Sequence, residues 1–327
     1  MRAWVIEEPG GPEVLQLKED WPEPEARPGW VKIKVKAFGL NRSEYFTRIG
    51  ESGPLVPFPR VLGIECVGEV VAAPDSDLKP GQKVAAAMGL MGRQYDGGYG
   101  EFTCVPRSNV YPVETDLDWE VFGALPETFL TAWGGIFEAM DLSAGQSLFI
   151  RGGTSSVGMA AATLAKDKGC TVFASTRNPA KRDALVANAV DHIVMDDGGS
   201  LADKVRAIAP DGVNACLELV GHTDTIKDSL TSLGPRGYLC IVGFLAVQWQ
   251  PTEFIWPPST VRLTMYNSEE LETGYATPVM QQIVDGVSAG RLRPNIYRVF
   301  DYGELQEAHD IMGRSGAVGK LVVRTGH

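Results

Sequence analysis

One stretch constrains what this chain can fold into more than any other. Ser147-Leu148-Phe149-Ile150-Arg151 is an apolar run that stops at Gly152-Gly153. Thr154-Ser155-Ser156-Val157-Gly158 follows, and then Met159–Lys166, rich in small helix formers. That order reads as strand, tight turn, helix N-terminus. Such a helix end presents unpaired backbone N–H groups and a partial positive charge, which together bind a pyrophosphate. The glycines allow the sharp turn and the close approach of a ligand. Gly153, Thr154, Ser155, Ser156, Val157 and Gly158 are therefore candidate cofactor-binding residues.

The next strand, Cys170–Ser175, narrows the cofactor. In NAD-binding units an Asp or Glu near this strand end accepts hydrogen bonds from the adenine ribose. Here the strand runs into Ser175-Thr176-Arg177-Asn178, with Lys181 one helical turn on and no carboxylate. A carboxylate repels a 2′-phosphate, whereas hydroxyls, a guanidinium and an ammonium hold it. Ser175, Thr176, Arg177 and Lys181 thus point to NADP(H). The alternative is that Arg177 and Lys181 are ordinary solvated charges. Asn178-Pro179 reads as an N-cap with proline at the first helical position.

The chain has 327 residues, enough for two domains with separate cores. Its net charge of −11, without a basic tract, argues against nucleic acid or an anionic membrane as principal partner. No secretory leader pattern opens the sequence and no long uncharged apolar run occurs, so cytoplasmic residence is expected. The five cysteines form no C-x-x-C pair and read as small core residues of a reduced protein.

The first ~120 residues read as strands and turns. Met1–Glu7, Val14–Leu17, Trp30–Ala37, Val67–Ala72 and Gln82–Ala86 are expected strands of an irregular, antiparallel, barrel-like domain. From about Trp119 helix and strand alternate, with strands at Ser147–Ile150, Thr171–Ser175, His192–Met195, Gly212–Leu219 and Tyr238–Gly243. That alternation predicts a doubly wound parallel sheet with its ligand at the carboxyl ends of the strands. The tail reads as helix (Pro278–Ala289), strand (Tyr297–Phe300), helix (Leu305–Met312) and strand (Lys320–Val323), returning to the first domain. Domain bounds of 1–121 with 267–327, and of 122–266, follow. Val261–Tyr266 is expected to be an edge strand able to pair with a second copy, giving a homodimer.

With this layout the chain resembles the medium-chain dehydrogenase/reductase superfamily, in particular its zinc-free quinone oxidoreductase branch. The resemblance rests on Gly39-Leu40-Asn41, Pro59–Gly68, Asp96–Phe102, Leu130–Trp133, the glycine loop, Glu218–Gly221 and Val318–Val323 in their shared order. It implies a GroES-like irregular β-barrel joined to a Rossmann-type sheet, an overall α/β fold. It also implies that Asn41 lines the nicotinamide-ribose region and that Thr131 contacts the nicotinamide. Val220, Gly243, Phe244 and Lys320 are the remaining cofactor contacts it implies, with Trp133 near the nicotinamide end. Positions corresponding to the zinc ligands of other members carry Asn41, Ile64 and Glu127, so no metal is expected. Glu44, Glu65 and Glu127 are read as hydrogen-bonding carboxylates. His192, His222, His309 and His327 form no Ser–His–Asp or Cys–His arrangement.

Without a Lewis acid, oxidation of an unactivated alcohol is hard, while hydride addition to an already conjugated acceptor is easier. The expected activity is zinc-independent hydride transfer from NADPH to a quinone or other conjugated carbonyl. Asn41 and Tyr45 are the expected catalytic residues, with Tyr45 donating to the acceptor oxygen. A half-buried tyrosine packed on the barrel is the alternative for Tyr45, because relatives often place their tyrosine where this chain has Phe46. An enone or enoyl-thioester reductase, and a non-catalytic NADPH-binding protein, are the competing functions.

Overall fold

The structure is a computed structural model, and it describes residues 1–245, 255–268 and 273–326. In chain order its first elements are β1 (Ala3–Ile6), β2 (Gln16–Lys18), β3 (Trp30–Gly39), α1 (Arg42–Arg48), β4 (Arg60–Val61), β5 (Glu65–Ala72), β6 (Lys83–Ala87), β7 (Phe102–Pro106), β8 (Val110–Pro112), α2 (Trp119–Phe122) and α3 (Pro126–Trp133). They continue with β9 (Ser147–Arg151), α4 (Ser156–Asp167), β10 (Thr171–Thr176), α5 (Arg182–Ala187), β11 (His192–Met195), α6 (Leu201–Ile208), β12 (Val213–Glu218), α7 (Thr223–Thr231), β13 (Leu233–Ile241) and β14 (Arg262–Met265). The chain closes with α8 (Thr273–Ser288), β15 (Ile296–Asp301), α9 (Leu305–Gly313) and β16 (Lys320–Arg324). Two compact units result: Met1–Leu130 with Ser268–Ala289 and Ile296–His327, and Thr131–Asn267 with Gly290–Asn295.

In the first unit, the alternation of apolar residues with lysine sets the two faces of β3. Val31, Ile33, Val35 and Ala37 are fully buried, while Lys32, Lys34 and Lys36 stay half-exposed. A period of two sends alternate side chains to opposite faces, so the lysine face meets water and the aliphatic face meets the core. The sheet runs β15-β16-β3-β5-β6-β8, with β7 also paired to β3. A smaller sheet runs β2-β1-β4. The end of the chain returns as expected, because β16 pairs antiparallel with β3, Val322 opposite Gly39. Only β15 and β16 pair in parallel in this sheet among the described residues. Ile33, Val35, Phe38, Cys66, Tyr99, Phe300 and Leu321 belong to one core, each large side chain contributing roughly 1.5–3 kcal/mol of burial.

The second unit is the doubly wound sheet. Its order among the described residues is β11-β10-β9-β12-β13-β14, every pair parallel. The winding reverses between β9 and β12, the point outside whose carboxyl ends such sheets bind ligands. Leu148, Phe149 and Ile150 of β9 are fully buried because helices cover both faces of a parallel sheet. β14 lies at the edge, where the sequence places it, with Leu263 and Met265 exposed.

Three elements depart from the sequence reading. Val14 sits in a short 3₁₀ turn, Pro12–Val14, so β2 starts only at Gln16. β13 begins at Leu233 rather than Tyr238, running through Gly234-Pro235-Arg236-Gly237 with a register shift against β12. α8 begins at Thr273 and carries Pro278 inside it rather than at its start. A proline there removes one intrahelical hydrogen bond, and the helix continues because its later turns pack Val279, Met280, Ile283 and Val284 into the core. All five cysteines are free thiols; four are buried and Cys104 is half-exposed.

Candidate active site

The glycine loop forms at the carboxyl end of β9. Gly152 takes φ +90°, a backbone state that favours glycine, and turns the chain from strand to helix. Ser155 caps α4: its Oγ accepts from Gly158 N at 3.1 Å and donates to Gly152 O at 2.8 Å. Gly158 is required by proximity, since a Cβ there would lie 2.7 Å from Gly152 O and 2.9 Å from Gly153 Cα. Thr154, Ser156 and Val157 remain half-exposed around the loop. The amides of Ser156 and Val157 fall in the first turn of α4, where no intrahelical carbonyl lies in reach. The loop is thus a cradle of N–H groups at a helix N-terminus, suited to a pyrophosphate.

Strand β10 ends beside this loop. Gly153 N donates to Ser175 O at 3.0 Å and Gly152 N donates to Ser175 Oγ at 3.0 Å. Thr176 Oγ1 bonds Asn178, accepting from its N–H at 3.2 Å. Ser175 and Thr176 are 3% and 4% exposed. The Ser175 hydroxyl therefore braces the glycine loop from within and that of Thr176 the turn at Asn178, roles the sequence reading did not assign to them. Arg177 is exposed and Lys181 half-exposed; Ser175–Asn178 contain no carboxylate, while Asp196 N at the end of the neighbouring β11 donates to Thr176 O at 2.9 Å. Burial and the nearby Arg177 charge together hold the Lys181 ammonium below its ordinary value. Like charges brought together at a strand end suit an anion.

Two further segments meet the loop at the carboxyl ends of β12 and β13. A Cβ on Gly152 would lie 3.3 Å from Leu219 and 3.8 Å from Val220. Gly221, at φ +77°, packs on Gly243 O and the Phe244 ring. Val220 thus lies beside Gly152, and Gly243 and Phe244 lie beside Gly221. Glu218, fully buried, organises this turn, and the sequence reading missed it. Its Oε1 accepts from Val220 N at 2.8 Å and Gly221 N at 3.1 Å, and its Oε2 from Ser229 Oγ at 2.7 Å. Burial raises its carboxyl, and those hydrogen bonds oppose the rise. Arg151, paired with Asp228, adds a nearby positive charge. The signal was a carboxylate two residues before a turn whose amides need an acceptor. Trp133 stacks edge-on against Phe137 at 5.8 Å, Trp256 is 82% exposed, and Thr131 is buried in α3.

The first unit holds a separate buried polar cluster around Asn41. Lys320 Nζ lies 2.6 Å from Glu65 Oε1 and donates to Asn41 Oδ1 at 2.5 Å. Asn41 Nδ2 donates to Glu65 Oε1 at 2.9 Å and to Glu44 Oε1 at 3.3 Å. Glu44 closes a capping box on α1, accepting from Asn41 N at 2.9 Å, and also accepts from Ile64 N at 3.1 Å. Glu65 Oε2 accepts from Glu127 N at 2.8 Å. The Lys320 and Glu65 side chains are fully buried. Burial pushes the Glu44 carboxyl up to about 7. Glu44 and Glu65 are thus hydrogen-bonding carboxylates, as expected, but Lys320 is an internal ion-pair partner.

This donor set does not fit zinc. Ile64 offers no lone pair, both atoms of the Asn41 amide are engaged, and an ammonium already neutralises Glu65. No group of three or more ligating side chains stands together among the described residues.

Tyr45 lies on α1, half-buried. Its ring has the Arg42 guanidinium at 4.3 Å, that of Arg48 at 5.4 Å and the Phe46 ring edge-on at 5.6 Å. Its hydroxyl makes no hydrogen bond among the described residues. Of the histidines, His192 packs on Phe173, His222 caps α7 through Nδ1, and His309 is buried against the Tyr99 hydroxyl at 3.0 Å. Burial takes His309 down to about 3. His327 lies outside the described residues.

Comparison with known proteins agrees with this architecture. The alcohol dehydrogenase GroES-like domain family matches residues 27–115, and the zinc-binding dehydrogenase family matches residues 156–272. Human quinone oxidoreductase is 26% identical over 99% of this chain and 97% of its own length. A mycobacterial protein solved in complex with NADPH superposes with TM-score 0.86 at 24% identity, covering 99% of this chain and all of that one. The CurK enoyl reductase superposes with TM-score 0.82 at 22% identity, covering 99% of this chain and 98% of that one. A GroES-like unit, a Rossmann-type parallel sheet and similarity to quinone oxidoreductases over the whole chain identify it as a member of the medium-chain dehydrogenase/reductase superfamily, in the quinone oxidoreductase-like branch.

Proposed function

We propose that this oxidoreductase uses NADPH, without zinc, to reduce a quinone or another conjugated carbonyl. The observation that supports the NADPH reading is the end of β10, where Arg177 and Lys181 gather positive charge and the segment Ser175–Asn178 itself carries no carboxylate. The loop Gly153–Gly158 would hold the pyrophosphate, with Ser175 bracing it, Thr176 shaping the turn at Asn178, and Arg177 and Lys181 receiving the 2′-phosphate. Val220, Gly243, Phe244 and Thr131 would line the remainder. When bound, the cofactor would supply the hydride for the conjugated carbon, and solvent would supply the proton.

The chain's own contribution is binding and charge stabilisation. Asn41 is held rigidly by Lys320, Glu65 and Glu44, so its position is fixed before any ligand arrives. The Tyr45 hydroxyl, which makes no hydrogen bond among the described residues and sits on a ring flanked by Arg42 and Arg48, is our candidate donor to the oxygen that gains negative charge. Reduction of enones or enoyl thioesters is the second reading, favoured by the likeness to an enoyl reductase. We also propose a homodimer through the β14 edge, where Leu263 and Met265 are exposed.

Equilibrium titration of NADPH and NADH against the wild type and Arg177→Ala tests the cofactor assignment. The expected result is a preference for NADPH that the substitution reduces about tenfold or more, with NADH little affected. Equal weakening of both dinucleotides would remove Arg177 from the 2′-phosphate site.

A further inference from the structure

Helix α1 carries two guanidiniums that have no carboxylate partner among the described residues. Arg42 Nη1 donates to Met312 O at 3.0 Å, and the guanidinium stacks over Tyr45 at 4.3 Å and Phe46 at 5.6 Å. Its Nε is buried without a hydrogen-bond acceptor. Arg48 is 2% exposed, donates Nη1 to Gly10 O at 2.5 Å, and leaves its own Nε unpartnered. Glu13 and Asp310 act on Arg48 from farther away, and Asp310 is paired with Arg314 at 2.9 Å. Arg93 Nη2 donates to Ser43 Oγ at 2.6 Å, bringing a third guanidinium to the first turn of α1.

Two patterns of arginine occur in the molecule: Arg206, Arg262 and Arg293 donate to backbone carbonyls as Arg42 does, and others pair with carboxylates. In a chain of net charge −11, Arg2, Arg60, Arg107, Arg151, Arg298 and Arg324 all hold carboxylates. Arg42 is partly desolvated without that compensation, and burial depresses its guanidinium. Desolvating a charge is unfavourable unless an anion offsets it. A guanidinium stacked on an aromatic face also keeps its in-plane N–H groups available for a bidentate anion.

We propose that α1 recognises an anionic group, a carboxylate or sulfonate, carried by the conjugated acceptor, with Arg42 as its principal ligand. The inference rests on the reductase reading and names the class of acceptor: planar, conjugated and negatively charged. A phosphate of the cofactor is the other source of an anion, and the experiment separates the two.

The probes are 1,4-naphthoquinone and 1,4-naphthoquinone-2-sulfonate, each reduced with NADPH. The sulfonate is also titrated calorimetrically into the NADP⁺-loaded protein, and NADPH affinity is measured alongside. The wild type is expected to favour the sulfonate in kcat/KM, and Arg42→Gln to lower that preference about tenfold or more, the scale of a hydrogen bond to a charged group. Arg42→Lys should retain part of the preference, and 0.5 M salt should erode it in the wild type. Those two arms carry the test if Arg42→Gln fails to fold. Neutral quinone turnover with an unchanged sulfonate preference in the variants overturns the inference and leaves the reductase reading standing. Arg42-dependent calorimetric binding without turnover of either quinone supports the anion site and overturns the reductase reading. Weakened NADPH affinity with unaltered sulfonate binding assigns the anion to the cofactor and overturns the inference.

Discussion

Lys320→Met isolates the energetics of the polar cluster around Asn41. The Lys320 and Glu65 side chains are fully buried and 2.6 Å apart. Removing the ammonium leaves a buried carboxylate whose remaining donors are Asn41 Nδ2 at 2.9 Å and Glu127 N at 2.8 Å. Breaking one side of a buried ion pair costs about 3–5 kcal/mol. The two surviving hydrogen bonds place this case near the lower end, about 3 kcal/mol. At roughly 2–4 °C per kcal/mol for a domain of 150–250 residues, the melting temperature should fall by about 6–12 °C. The double variant Lys320→Met/Glu65→Gln removes both charges and keeps one carbonyl acceptor for the two donors, Asn41 Nδ2 and Glu127 N, so it should recover part of the loss. Urea unfolding of the four proteins in a double-mutant cycle measures the coupling. A single variant within 1 kcal/mol of wild type, or a double variant as unstable as the sum of the singles, would refute the ion-pair account.

Further outcomes follow from the same geometry. Glu44 has its folded pKa raised to about 7 from 4.5, so it favours folding most below pH 4.5 and loses that contribution as pH rises towards 7. His309 acts oppositely: its folded pKa of about 3 lies below 6.5, so its contribution is complete above pH 6.5 and lost as pH falls towards 3. The two slopes oppose each other between pH 4.5 and 6.5. Glu44→Gln should therefore make stability fall more steeply with acid in that window than in wild type, by roughly 3 kcal/mol across the full titration of Glu44. Parallel slopes in urea midpoints would contradict this. Gly158→Ala forces a Cβ against the backbone of Gly152 and Gly153 and should weaken NADPH binding about tenfold or more, read by nicotinamide fluorescence. Tyr45→Phe should slow single-turnover hydride transfer by about 2–4 kcal/mol of barrier if the hydroxyl meets the developing oxyanion. An unchanged rate removes Tyr45 from the chemistry.

The elements most legible in the sequence were those fixed by local rules. The loop Gly152–Gly158 declared its strand, turn and helix because the glycines and the Ser155 cap are contiguous. The lysine alternation declared both faces of β3. β13 was less legible because Gly234-Pro235-Arg236-Gly237 carries turn residues: the four bulge between the pairs of Leu233 with Val213 and Tyr238 with Ala215, and continuous pairing with β12 and β14 starts at Tyr238. The start of α8 was hidden by Pro278, which locally reads as a helix opening. The Asn41 cluster was only half legible. Capping by Glu44 spans three positions, whereas Lys320 reaches Glu65 because β16 lies beside β3, a tertiary pairing with no local signature. Glu218 was half legible in the same way: Val220 and Gly221 lie two and three residues on, whereas Ser229 reaches it only once α7 packs on β12.

The central claim is NADPH-dependent reduction of a conjugated acceptor without a metal. It is tested most directly by single-turnover loss of nicotinamide absorbance after exhaustive chelation, with NADPH and NADH in parallel against a quinone panel and an enone panel. The account predicts turnover that prefers NADPH and survives chelation. Activity that disappears on chelation and returns with zinc, or turnover indifferent to the 2′-phosphate, would contradict it.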